Sequence, residues 1–175
     1  MPDKALNIHG DATAFYDLHP VLRALLIADG TVTMAIEAIY RERISVNAIS
    51  QAFISAPDDI SLLGVKRGEE IFYREVELVG GSTDKGYVHA YSLLKQSAIG
   101  PELWEQLKSE KIGMGVVLRS AAQSSFRQVV HIGGGNLEGQ DDCVHRSYSV
   151  QIEGDPAILI TEVFNLKAFA SGYKS

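Results

Sequence analysis

The stretch VHRSYSVQIEGDPAILITEVF, residues 144–164, decides the fold. Its first half sets Val144, Arg146, Tyr148, Val150 and Ile152 at alternate positions, the period of a β-strand that buries one face. Its second half alternates again, with Ile158, Ile160, Glu162 and Phe164 on one parity and Ala157, Leu159, Thr161 and Val163 on the other. Only a short turn around Gly154-Asp155-Pro156 separates the two runs. A parallel crossover needs a dozen or more residues, so these strands are expected to pair antiparallel.

The same reading extends upstream. Phe126–Ile132 forms another strand-like run, and Ile71–Val79 and Tyr87–Leu94 flank a turn over Gly80–Gly86. Ile44, Val46 and Ala48 alternate with Ser45 and Asn47. About six strands, the last several joined by turns, predict an α+β fold: a single antiparallel sheet with helices on one face. Leu18, Leu22, Leu25 and Leu26 recur at helical spacing and predict a helix over 15–28, closed by Asp29-Gly30. Thr31 or Thr33 is placed to cap a second helix through Ala35, Ile36, Ile39 and Tyr40. Pro101 marks another helix start, with Trp104 as a packing anchor. Gly113-Met114-Gly115 then interrupts the chain before a mixed segment. Residues 1–14 are polar and expected to be loosely held, leaving one domain over 15–172.

Composition narrows the function. With 175 residues, 46% hydrophobic and 22% charged, the chain can bury a core of ordinary size. A net charge of −6 argues against a nucleic-acid surface, which needs an excess of Lys and Arg on one face. No basic run suited to a membrane surface and no apolar run long enough to span a bilayer occurs. The start does not read as a signal peptide, so a cytoplasmic protein is expected, monomeric or dimeric. A lone Cys143 leaves no intramolecular disulfide and no thiol cluster for zinc.

Three charges contradict the strand pattern. Arg74 shares its parity with Phe72, Val76 and Leu78; Arg146 sits among Val144, Tyr148 and Val150; Glu162 lies mid-strand between Ile160 and Phe164. An unpaired buried charge costs several kcal/mol or more, so such residues must meet partners. One reading is an internal Arg–Glu salt bridge. The other is a closed pocket in which two arginines hold an acidic ligand and a carboxyl donates a proton.

At these residues the chain resembles chorismate pyruvate-lyase, and more closely the divergent bacterial, archaeal and cyanobacterial branch of that family. Four stretches carry the likeness: Leu25–Thr33 with its Asp29-Gly30-Thr31 core; Phe72-Tyr73-Arg74-Glu75-Val76; Ile99–Leu103 followed by Lys111-Ile112-Gly113; and His145-Arg146-Ser147-Tyr148 followed by Gly154–Phe164. Together they span roughly residues 22–169. The resemblance implies helical flaps over a buried pocket and a lyase of aromatic biosynthesis that forms 4-hydroxybenzoate and pyruvate without metal or organic cofactor. It implies Glu162 as the general acid, Arg74 as the clamp on a substrate carboxylate, and backbone N–H groups of Ile112 or Gly113 as further donors. Val32 would be an apolar contact on the flap. The chain departs from the better-known members at Tyr91, where they carry a second arginine, and at Lys111, often proline. Arg146 or His89 are the residues placed to compensate. The alternatives are a ligand-binding module of the same fold, as in the effector domains of one group of bacterial regulators, or a lyase acting on a chorismate analogue. Those regulators carry a winged-helix domain, for which no room is expected before Phe15, and a pure anion binder gains nothing from Glu162.

Other motifs carry less. Gly133-Gly134-Gly135-Asn136 lacks the Lys-Ser/Thr of a phosphate loop and reads as a hairpin loop. His9, His19, His89, His131 and His145 form no i,i+4 pair, and no metal site is expected. Cys143 reads as an inert thiol and Ser124-Ser125 lacks a nucleophile-elbow pattern.

Overall fold

The computed structural model describes residues 8–9, 12–28, 31–108, 114–120, 124–134 and 143–170. Its strands are β1 (Ile8–His9), β2 (Ile44–Ser55), β3 (Glu70–Gly80), β4 (Gly86–Leu94), β5 (Ser125–Gly134), β6 (Cys143–Ile152) and β7 (Asp155–Asn165). They form one sheet in the order β1-β5-β6-β7-β4-β3-β2. Every pairing from β5 to β2 is antiparallel; the two-residue β1 adds a parallel edge beside β5. The β6–β7 hairpin closes through Glu153 and Gly154, both at positive φ (52° and 90°), which matches the right-handed twist of the strands it joins.

The helices are α1 (Ala12–Asp17), α2 (Pro20–Ile27), α3 (Val32–Tyr40), α4 (Pro101–Leu107), α5 (Met114–Ser120) and α6 (Leu166–Ala170). The helix expected over 15–28 is two helices. Proline disfavours helical geometry at the residue before it, so the chain breaks at His19, whose Nδ1 then accepts from the Val21 N–H at 3.3 Å. Thr31 occupies the N-cap of α3 without a side-chain cap bond, and Arg41 ends the helix in the left-handed region. The mixed segment after Gly113 is α5, which Gly115 in its first turn disguises. Among the described residues no helix is long and apolar enough to cross a membrane.

Two apolar clusters cover one face of the sheet. Trp104, Leu107, Val117 and Leu118 from α4 and α5 pack on Phe72, Leu94, Val150 and Ile158 at one end. Leu22, Leu26 and Ile36 from α2 and α3, with Phe169 of α6, pack on Leu78, Val88, Val144 and Phe164 at the other. Trp104 anchors the first cluster with its ring 5.1 Å from that of Phe72, edge to face. The charged residues of the sequence pattern fall in the seam between these clusters. On the opposite face, Tyr73, Glu75, His89, Tyr91, Ser147 and Thr161 are only half-buried, and a small cluster of Ala56, Leu63, Val65 and Ile71 covers one end.

Candidate active site

Strand register builds the seam row by row. Val76, Ala90, Glu162 and Arg146 lie side by side across β3, β4, β7 and β6; Arg74, Ser92, Ile160 and Tyr148 form the neighbouring row. Residues in register share a face, so two arginines and a glutamate converge among apolar side chains. Arg74 is 2% exposed, Arg146 1% and Glu162 7%.

Glu162 and Arg146 are direct cross-strand neighbours and form a buried ion pair, with Nε 2.7 Å from Oε2. The other end of Arg146 turns away from the sheet. Its Nη1 donates to the carbonyls of Leu25 (2.6 Å) and Ala28, with Leu26 at 3.4 Å. These lie at the C-terminal end of α2, where the last carbonyls lack helical partners and the helix dipole is negative. One guanidinium therefore caps α2 and fixes the Glu162 carboxylate, which explains why this charge survives burial. The Tyr148 hydroxyl donates to Oε1 of Glu162 at 3.3 Å, and its ring lies under the Arg146 guanidinium at 5.0 Å. Burial first, and the Glu162 carboxylate next, push the Tyr148 hydroxyl far above its ordinary value, so it stays a donor.

A cavity of about 50 Å³ opens against this seam. Its floor is Val76, Ala90, Ser92 and Ile160; its roof is Thr31, Val32 and Thr33 from the start of α3 with Met114 and Gly115 from α5. Arg74, Arg127, Tyr148 and Glu162 supply its polar groups. The two roof helices touch. A Cβ at Gly115 would lie 3.0 Å from the Thr31 methyl, so glycine permits α5 to approach this closely.

The structure brings Glu162, Arg74 and Val32 to one cavity. Arg146 stands behind Glu162 rather than in the lining, because its donors are engaged by the carboxylate and by α2. Tyr91 is not brought there. Strand parity sends it to the other face, where its ring stacks on His89 at 4.6 Å, 18° between planes. His89 is on that face too, its Nε2 2.7 Å from Oε1 of Glu75, so neither replaces a second arginine in the cavity. Ile112, Gly113 and the Asp29-Gly30 turn lie outside the described residues, as do Gly135 and Asn136.

The sequence reading missed Arg127. The bulge between Val129 and His131 explains this: it puts Arg127, Val129 and Ile132 on the cavity face of β5, although the chain's simple alternation groups Ile132 with Phe126 and Val130. Phe126 is 61% exposed as a result. Among the described residues, no group of three or more His, Cys, Asp or Glu side chains gathers as a metal site. His131 and His145 meet on the face away from the cavity, with their Nε2 atoms 3.0 Å apart; burial and then His131 hold His145 below its ordinary value. Cys143 is buried.

Sheet, roof and charged seam define a single-sheet α+β domain that gathers arginine and glutamate side chains beneath helices. The chain belongs to the family described as Chorismate pyruvate-lyase Rv2949c-like, whose model matches residues 26–171. No curated protein sequence matches it significantly. Among solved structures it is similar to the effector domain of PhnF from Mycobacterium smegmatis, at TM-score 0.59 and 14% identity, covering 79% of this chain and 90% of that one. It is similar to PhnF itself at TM-score 0.56 and 12% identity, spanning 79% of this chain and 65% of that protein's length. A GntR-family transcriptional regulator from Bacillus cereus matches at TM-score 0.51 and 12% identity, over 75% of this chain and 96% of that one. At these identities the likeness establishes a shared fold.

Proposed function

We propose that this chain is a cofactor-independent carbon–oxygen lyase that converts chorismate to 4-hydroxybenzoate and pyruvate. The observation that carries this reading is the buried glutamate, held by Arg146 at 2.7 Å, on the wall of a cavity that also exposes Arg74. Membership of the lyase family supports it.

Chorismate carries a ring carboxylate and an enolpyruvyl carboxylate. Losing pyruvate makes its ring aromatic, so the reaction is strongly downhill and needs orientation and one well-placed proton relay. Arg74 holds the ring carboxylate by charge-assisted hydrogen bonds. Glu162, as the carboxylate of its ion pair, takes the proton from the ring carbon that bears the hydroxyl. The electron pair of that C–H bond forms the new ring double bond as the ether C–O bond breaks, and the ether oxygen leaves with its pair as enolpyruvate. Glu162, now a carboxylic acid, returns the proton to the leaving group, which becomes pyruvate. Atoms and charge balance, and the carboxylate is regenerated. Tyr148 steadies Oε1 throughout, and the Ile112 and Gly113 backbone N–H groups are proposed as further donors to a carboxylate. Val32 presses on the ring, and the roof excludes water, which strengthens each polar contact.

The second reading, a non-catalytic module for small acids, is favoured by the fold shared with the PhnF effector domain. One experiment separates the two. Purified protein is mixed with chorismate, and both products are followed by chromatography, with Glu162→Gln and Arg74→Ala alongside. Stoichiometric formation of both products, lost in both variants, is expected. Folded protein that binds chorismate but gives no turnover above its spontaneous breakdown would favour the module and sink the lyase.

A further inference from the structure

The two edges of the sheet are finished differently. Beyond β5 lies β1, a strand of 2 residues, and an edge that short offers little to pair with. The other edge is β2, 12 residues long, and among the described residues no strand pairs with its outer side. Its sequence, ISVNAISQAFIS, holds no charged residue and no proline, the devices that usually keep an edge from pairing. Ile49 is 53% exposed and Phe53 46%. Charges gather at the ends of the strand and differ in sign. Exposed Arg41 and Arg43 precede it, with Glu42 between them spent on the β3–β4 turn. Exposed Asp58 and Asp59 follow it, the latter held by Lys66 at 2.8 Å.

Hydrogen bonds fix which backbone groups face out. The Arg43 carbonyl accepts from the Gly81 N–H, and the Ala56 N–H donates to the Glu69 carbonyl, both at 2.8 Å, so both residues bond inward. Antiparallel bonding alternates along a strand, so Ile44, Val46 and Ala48 turn their backbone groups outward in one half, and Gln51, Phe53 and Ser55 in the other. The Ile44 N–H accordingly meets Oε1 of Glu37 at 3.0 Å. The two series differ in parity because the register shifts between Ala48 and Ser50, at the middle of the strand.

We propose that β2 pairs antiparallel with β2 of a second copy of this chain, about a two-fold axis at its bulge, and so joins the two sheets into one. An axis between Ile49 and Ser50 sets Ile44 opposite Ser55, Val46 opposite Phe53 and Ala48 opposite Gln51. Each outward-turned residue of one half thus meets one of the other half. Such a ladder supplies about ten backbone hydrogen bonds, the number of a standard interface. The same axis brings Arg41 of each copy to Asp58 of the other, at both ends of the ladder. A parallel pairing would instead set arginine beside arginine and aspartate beside aspartate. An uncharged strand with ends of opposite sign is therefore complementary to itself when antiparallel, which closes a dimer and leaves no edge free to extend it. The interface borders the site, because Val46 lines the cavity and in this register stands beside Phe53 of the second copy. The proposal is independent of the lyase reading.

The test is the oligomeric state of the intact chain, by sedimentation velocity over about 1–100 μM, where a dimer with a dissociation constant on the order of micromolar is expected. Ile49→Lys, at an exposed position beside the axis, sets two ammonium groups against each other. It should weaken the dimer by about 100-fold while leaving the circular dichroism spectrum unchanged. Asn47→Cys/Ala52→Cys tests the register. Both side chains are exposed, and the axis sets them opposite each other as a non-hydrogen-bonded pair, about 4.5 Å between Cα atoms and within disulfide reach. Mild oxidation should convert the double variant into a covalent dimer on a non-reducing gel. Asn47→Cys alone should stay uncrosslinked, since Cys143 is buried. A monomer at every concentration would overturn the proposal. A folded Ile49→Lys variant that dimerises like wild type, or a double variant that does not cross-link, would overturn it as well. Should Ile49→Lys fail to fold, the cross-link decides alone.

Discussion

Two glutamates in this molecule are each held by several donors, yet they do different work. Glu42, just after α3, accepts from Ser82 (Oγ, 2.9 Å), Thr83 (Oγ1, 2.9 Å) and Tyr87 (Oη, 2.6 Å), and so ties the end of a roof helix to the β3–β4 turn. Glu162 accepts from Arg146 and Tyr148. The donors around Glu42 are neutral hydroxyl and backbone groups. Around Glu162 the principal donor is a buried cation, and the carboxylate shares its cavity with Arg74 and Arg127. Burial alone would raise the Glu42 carboxyl, but the hydrogen bonds from Tyr87, Ser82 and Thr83 outweigh it and hold it at about 2. The same residue type thus serves as a lock at Glu42, whereas at Glu162 it lines an opening, where we propose that it works as a tool.

The sharpest way to break this contrast is Glu162→Gln. It should lower kcat on chorismate by about 10²–10⁴-fold, as for removal of a general acid–base group, with much less effect on secondary structure. Arg146→Met should come next. It removes both the partner of Glu162 and the cap of α2, and should destabilise the fold by about 3–5 kcal/mol in denaturant titration. A variant as stable as wild type would show that the pair is dispensable.

Glu42→Gln should cost about 1–3 kcal/mol in the same titration but leave kcat within about twofold well below its melting temperature. A large loss of kcat there would erase the distinction between lock and tool. Its pH dependence follows from sign. The folded carboxyl is held at about 2 against an ordinary 4.5, so its stabilisation is present above about 4.5 and is lost as pH falls towards 2. The difference in melting temperature between wild type and Glu42→Gln should therefore narrow progressively over that window.

The smallest effects concern the borders of the site. Gly115→Ala must push against Thr31 at 3.0 Å and should alter KM by a few-fold at most. Tyr91→Phe should change kcat/KM by less than about twofold, because the ring lies on the face away from the cavity. A large effect of Tyr91→Phe would contradict its placement.

Much of this was legible in the chain. The clash between charge and strand parity at Arg74, Arg146 and Glu162 was visible from period-two alternation, and the same alternation set the boundaries of β3, β4, β6 and β7 to within two residues. It also contained the facts that remove Tyr91 from the cavity, since Tyr91 and Ala90 have opposite parity on β4. The likeness to better-known family members outweighed that local rule. The halves of the first helix were obscured because leucine spacing continues across Pro20, while the break is set by the backbone of the preceding residue.

The sequence by itself determined the α+β class, the antiparallel hairpin that carries Glu162, and the burial of three charges, because strand periodicity and the cost of unpaired charge are local properties of the chain. Tertiary structure decided which charge meets which. Arg146 divides its donors between Glu162 and the carbonyls of α2, more than a hundred residues upstream, and no local pattern reports such a partner. A one-residue bulge in β5 decided that Arg127 faces the cavity, since adding a residue to one strand shifts every later side chain to the other face.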